Sequence, residues 1–264
     1  MLPPGPLEPG WTGKNRGCHC LAQSATAEWS VFLDADTIPS ADFAECLSSY
    51  LSNLPKTQRV ITGFPKMLRG EGIEPLYLGW VPWILLATNP FGLVAISGKG
   101  HNRFTNGQFS AWRTDFLQEL KPHEIVRGEI LEDVKIGRLL GSRQEPVDVL
   151  NVSKILSVRM YRTIDEAFHG MCKNSADIAG SSIGTWLLAL FFVLLGLGWL
   201  FCGKWALLLY GGLVLSKVFA DRVIRYPVWT APWIPITAVG GAITLIVSSF
   251  KKKRGLISWK GRQY

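Results

Sequence analysis

Residues 183–202 run for 20 positions without a single charge. At about 1.5 Å of rise per residue, a helix of that length matches a hydrocarbon core of about 30 Å. The apolar character continues, because from Ile183 to Phe250 the only charged residues are Lys204, Lys217, Asp221, Arg222 and Arg225. That density is too low for the surface of a soluble domain. The region reads as membrane, with apolar segments at 183–202, 205–220 and 228–250. The second is short and carries Lys217, whose ammonium is expected to snorkel towards the interface. The third has Pro232 and Pro235 in its first half and is expected to be broken there.

Charge divides the chain in the same place. Residues 183–264 hold 10 Lys and Arg against one acid, and residues 1–182 hold 18 against 19. The excess of positive charge therefore flanks apolar segments, as cations facing anionic lipid do, and does not form the footprint of a nucleic-acid-binding domain. By the positive-inside rule the basic tail at 251–264, opening Lys251-Lys-Lys-Arg254, belongs in the cytoplasm, as does Asp221-Arg-Val-Ile-Arg225. With the amino-terminal domain on that side too, three complete crossings are inconsistent, so one of the last two segments is expected to be interfacial or re-entrant. The five cysteines are irregularly spaced, and Cys18-His19-Cys20 lacks a second ligand pair at zinc-site spacing. They read as reduced thiols of a cytosolic compartment.

Residues 1–12 are rich in proline and glycine and read as a linker or a truncated start, while 13–178 alternate strand and helix signals in the α/β manner. A weak helix over Lys14–Glu28 leads into an apolar strand, Trp29-Ser-Val-Phe-Leu, that stops at Asp34-Ala-Asp36. Helices are predicted over Ser40–Leu54, with Ser40 as N-cap, and over Asp115–Leu120, Leu131–Leu140 and Thr163–Asn174. Strands are predicted at Arg59–Phe64, Phe104–Trp112 and in the run from Val149 to Tyr161. Residues 76–96 are apolar and aromatic but interrupted by Pro82 and Pro90. Two readings fit them: a surface-lying or acceptor-facing element, or a buried pair of helices.

Two pairs of acids carry the chemistry. A strand ending in Asp34-Ala-Asp36 presents hard oxygen ligands at a sheet edge, suited to Mg²⁺ or Mn²⁺ and the diphosphate oxygens of a substrate. Taken alone, the triplet reads equally well as the start of a turn. Glu132-Asp133 opens a helix whose N-terminal dipole is expected to keep a carboxylate ionised, able to take a proton from an attacking hydroxyl. Lys14 and Asn15 after Gly13 suit a phosphate or base contact, and Asn106-Gly107-Gln108 could offer amides to a sugar hydroxyl. Arg159 and Tyr161 could hold diphosphate or stack on a ring.

Taken in order, Gly10-Trp-Thr-Gly-Lys-Asn15, Phe32-Leu-Asp-Ala-Asp-Thr37, Asn106-Gly-Gln-Phe109, Glu132-Asp-Val134, Ser157-Val-Arg-Met-Tyr161 and Trp259-Lys-Gly-Arg262 resemble glycosyltransferase family 2. The likeness is to the membrane-bound branch that modifies carotenoid or hopanoid-type lipids. It implies a GT-A (Rossmann-like) mixed sheet, followed by two to three transmembrane helices. It also implies a nucleotide-sugar donor, a lipid-like acceptor, a divalent metal and an inverting single displacement. On that resemblance Asp34 and Asp36 take the metal and diphosphate role, and Asp133, beside Glu132, takes the base role. The first strands of such a sheet have no counterpart before Gly10, so the catalytic domain is expected to be incomplete at its amino-terminal side. The Gln-x-x-Arg-Trp element of processive relatives is replaced by Ser157-Val-Arg-Met-Tyr161, which favours transfer of one sugar. A non-catalytic membrane scaffold, or an inactive fragment of such an enzyme, is the competing reading. A transporter is disfavoured because the apolar segments lack a repeat or paired intramembrane acids.

Overall fold

The computed structural model describes residues 7–88, 105–178, 181–256, 258–259 and 262–263. The chain divides into two compact units, residues 1–66 with 89–158, and residues 67–88 with 159–264.

The first unit is mixed α/β. Its four-stranded sheet has the order β1 (Trp29–Leu33), β5 (Phe109–Arg113), β3 (Val60–Phe64) and β6 (Val147–Asn151). β5 runs antiparallel to both neighbours, whereas β3 and β6 are parallel. Side chains alternate across the sheet, so each strand feeds two cores. On one face Val60, Trp112 and Val147 pack with Phe116, Leu117, Ile136 and Leu140 from helices. On the other, Ile61, Phe109 and Ala111 pack with Phe43, Leu47 and Leu51 of the helix Phe43–Ser52. Burying each large apolar side chain here contributes about 1.5–3 kcal/mol.

A smaller sheet stiffens the turn after β1. β2 (Thr37–Pro39) pairs antiparallel with β7 (Leu156–Val158), with β4 (Lys66–Met67) on the far side of β7. The backbone N–H and the hydroxyl of Thr37 both donate to the Asp34 carbonyl, at 3.0 and 2.7 Å. Thr37 thus closes the turn that sets Asp34.

The expected single strand after Asp148 is two strands. The Ser153 N–H donates to Asn151 Oδ1 at 3.1 Å and the Leu156 N–H to the Val152 carbonyl at 2.8 Å, which turns the chain between β6 and β7. The helix expected from Ser40 begins at Phe43, with Asp42 at the cap position. The Ser40 hydroxyl instead reaches Asp42 Oδ1 at 2.5 Å and the Ile155 carbonyl at 3.0 Å.

The second unit is helical, with helices at Glu74–Leu78, Trp80–Thr88, Ile164–Ile178, Ser182–Leu197, Ala206–Val223 and Ile234–Lys253. Two stretches are long and apolar enough to cross a membrane, Ser182–Phe201 with 20 residues and Val228–Lys253 with 26. They pack antiparallel. Gly196 lies against the Pro235 carbonyl and Ala238, while the Trp186 and Phe250 rings meet at 5.7 Å. A Cβ on Gly196 would stand 2.9 Å from the Pro235 carbonyl oxygen, so only glycine allows this close approach. Ile183, Leu187 and Leu194 point away from the pair and are 75%, 61% and 58% exposed, forming an outward apolar stripe.

The prolines at 232 and 235 act before the third segment's helix and leave its body intact. Pro232 lies in a 3₁₀ turn over Val228–Trp233, and Pro235 occupies the first turn of the following helix, where a missing N–H costs nothing. Lys217 does not snorkel. It is fully buried in Ala206–Val223, with its ammonium 2.7 Å from both Asp221 carboxylate oxygens and 3.1 Å from the Thr230 hydroxyl. That helix carries Lys217, Asp221 and Arg222 and is the one of the three that falls short of a span.

Of the 76–96 stretch, residues 76–78 and 80–88 are helical within this unit, separated by a turn at Gly79, with Leu78, Trp80 and Val81 buried. Residues 89–96, and the polar loop at 98–103, lie outside the described residues.

Candidate functional site

Lys14 stands in the first turn of the helix Gly13–Ser24, where the dipole disfavours a cation and no acid is present to offset it. The compensation comes from two distant segments. Its Nζ lies 2.7 Å from Asp34 Oδ1, at the end of β1, and 2.7 Å from Glu132 Oε1, at the start of the helix Glu132–Ser142. A local rule broken and compensated from afar is the expected mark of a site selected for something other than helix stability.

The neighbouring acid is held by backbone. Asp133 Oδ2 accepts the Gly107 N–H at 3.1 Å and Oδ1 the Val134 N–H at 2.8 Å, while the Thr105 hydroxyl donates to the Asp133 carbonyl at 2.6 Å. Asn106 fixes the loop that supplies Gly107. Its N–H donates to the Thr62 hydroxyl at 2.8 Å, its side-chain amide to the Gly63 carbonyl at 2.9 Å, and its Oδ1 accepts the Gln108 N–H at 3.1 Å. A Cβ on Gly107 would stand 2.9 Å from Lys14 Nζ, 3.3 Å from Glu132 Oε1 and 3.4 Å from Asp133 Oδ2. The strand-end acid, the helix-start acids and the loop therefore converge on one ammonium.

Burial dominates the electrostatics. It pushes the Glu132 and Asp133 carboxyls above the ordinary range, with Lys14 opposing the rise at both and the Gly107 N–H opposing it at Asp133. The expected dipole-held ionisation of Asp133 is thus offset by desolvation, which moves the group towards the range useful to a general base. Burial alone would lower the Lys14 pKa, but Glu132 and Asp34 outweigh it and the ammonium is held charged.

The remaining predicted residues fall elsewhere. Asn15 is fully buried, and its amide donates to the carbonyls of Val126, Arg127 and Glu129 at 2.8, 3.2 and 3.2 Å. Its role here is to pin the first helix to the 126–129 segment, and no face of it is left for a ligand. Asp36 is exposed in the turn after β1, and Gln108 is half-buried beside Asn106. Arg159 and Tyr161 belong to the second unit, where Arg159 is exposed and the Tyr161 ring lies against Gly170.

Two neighbours of the cluster were not among the expected site residues. His123 is buried with Nδ1 3.4 Å from Asn15 Oδ1, and burial, reinforced by Lys14, lowers its pKa to about 4. Cys18 follows Lys14 by one helical turn, and burial pushes its thiol up to about 11, with Glu132 and Asp34 adding to the rise and Lys14 opposing it. The i, i+4 spacing of Lys14 and Cys18 was the available signal for the second.

The donor set suits a hard divalent cation. Mg²⁺ is commonly held by one or two carboxylates with substrate phosphates completing the shell, and Asp34 and Asp36 supply oxygen donors of that kind. Among the described residues no group of three or more His, Cys, Asp or Glu is gathered as a protein-only cage. No protein-family model matches this chain, and no curated protein matches it in sequence.

Proposed function

We propose that the chain is a membrane-anchored, inverting glycosyltransferase of GT-A type that moves one sugar from a nucleotide-sugar donor to a lipid-like acceptor at the cytoplasmic face. The observation that carries this reading is the meeting of Asp34, Glu132 and Asp133 around Lys14 and Gly107. Single displacement needs a group that stabilises the departing diphosphate and a base that deprotonates the acceptor, held within one cleft. Asp34, with Asp36, would hold the divalent metal, which when bound neutralises charge on the leaving diphosphate. Asp133 takes the hydroxyl proton. Its two backbone hydrogen bonds fix its direction, and Glu132 sets the local potential through Lys14. The outward apolar stripe at Ile183, Leu187 and Leu194 supports anchoring beside a lipid acceptor.

The test is Asp133→Asn in detergent-solubilised protein, with transfer of labelled sugar to a lipid extract and calorimetric binding of a nucleoside diphosphate with Mg²⁺. Turnover falls about 10²–10⁴-fold while nucleotide binding persists. Unchanged turnover removes the base assignment. Absence of nucleotide binding in the wild type would instead favour a scaffold.

A further inference from the structure

We propose that Lys14 is a built-in counter-ion that occupies the acid cluster until a divalent cation arrives, so that ammonium and metal are alternatives at Asp34. The inference rests on the reading of Asp34 as a metal ligand, and adds a role for Lys14 that this reading does not require. The ammonium sits 2.7 Å from a carboxylate oxygen on each of two segments, the position a cation bridging them would take. It is 41% exposed, so it can leave without unpacking a core. Glycine at 107 leaves room for it, since any Cβ there would meet Nζ at 2.9 Å.

Charge complementarity argues the same way. Asp34 and Glu132 each place an oxygen on the single ammonium and Asp133 stands beside them on the Gly107 N–H, so the cluster gathers more acids than cations, with Asp36 exposed nearby in sequence. A divalent ion at Asp34 next to the seated ammonium would face a like charge at contact distance. At a surface-like dielectric that repulsion opposes simultaneous occupancy. Metal binding therefore expels the ammonium, which becomes free to meet the donor's diphosphate. Metal affinity is low until a second anion arrives to accept Lys14, and loading is coupled to donor arrival.

Mn²⁺ alone is the probe, titrated by calorimetry and by electron paramagnetic resonance into the full chain in detergent. Lys14→Gln binds Mn²⁺ about tenfold more tightly than wild type, and Lys14→Arg, which keeps the charge, binds as weakly as wild type. Adding Asp34→Asn to Lys14→Gln removes the gain. A second readout uses wild type only: amine acetylation at Lys14, followed by peptide mass spectrometry, accelerates several-fold when Mn²⁺ is added. Equal Mn²⁺ affinity in wild type and Lys14→Gln, or unchanged Lys14 labelling, overturns the proposal while leaving the metal reading intact. No Mn²⁺ binding in any variant overturns both.

Discussion

The Gly107 N–H donates to Asp133 Oδ2 at 3.1 Å while its Cα lies so close to Lys14 that a Cβ would fall 2.9 Å from Nζ. One residue without a side chain thus orients the acid and leaves space for the cation. Gly107→Ala meets the end of a flexible lysine and not backbone, so the expected loss of stability is under about 1 kcal/mol. Lys14 leaves the cluster, and transfer falls about 10²-fold through misplacement of charged groups. A thermal melt and a transferase assay on the same preparation separate the two effects.

Asn15→Ala removes the donor that three carbonyls share, of which that of Val126 is buried and that of Arg127 keeps the Thr12 N–H. Leaving buried acceptors unsatisfied costs about 1–3 kcal/mol each where water cannot reach them. A destabilisation of about 1–3 kcal/mol is expected for the substitution as a whole. Melting of the solubilised protein measures it, and a shift of only a degree or two would show that water replaces the amide.

His123 makes stability fall in acid. Its pKa is lowered to about 4 in the fold, against an ordinary value near 6.5, so between those values the unfolded chain holds a proton that the folded chain does not. Stability from this group is complete above about pH 6.5 and is lost as pH falls to about 4, to a limit of about 3 kcal/mol. Comparing melting temperatures at pH 7 and 5 for wild type and His123→Gln checks this; the acid-side loss shrinks in the variant.

Lys217 and Asp221 are both fully buried, so removing one leaves the other charge without a partner. Lys217→Met or Asp221→Leu alone is expected to cost about 3–5 kcal/mol, and the double substitution much less. Thermal unfolding in detergent across this cycle gives the coupling, and additive losses would refute it.

Local signals carried much of the first unit. The apolar run Trp29–Leu33 became an edge strand ending at Asp34, and the acids at 132 and 133 did open a helix, because both features depend on neighbours in sequence. What could not be read was pairing over distance. Nothing near Asn15 announces that its amide will be used by residues more than 110 positions away, and nothing near Lys14 announces Glu132. The snorkelling expected of Lys217 failed for a related reason. Its partner at the next turn was visible, but Thr230 reaches the pair from a 3₁₀ turn whose course the two prolines obscured.

The antiparallel packing of Ser182–Leu197 against Ile234–Lys253 bears on how charge is distributed about a bilayer. Two helices packed antiparallel return the chain to the end from which it set out, so Ser182 and the Lys251–Arg254 run lie at the same end of the pair. Were the pair to cross a bilayer, that even parity would put the basic run on the side of the segment that precedes the hairpin, with no need for the intervening helix and its paired lysine to cross.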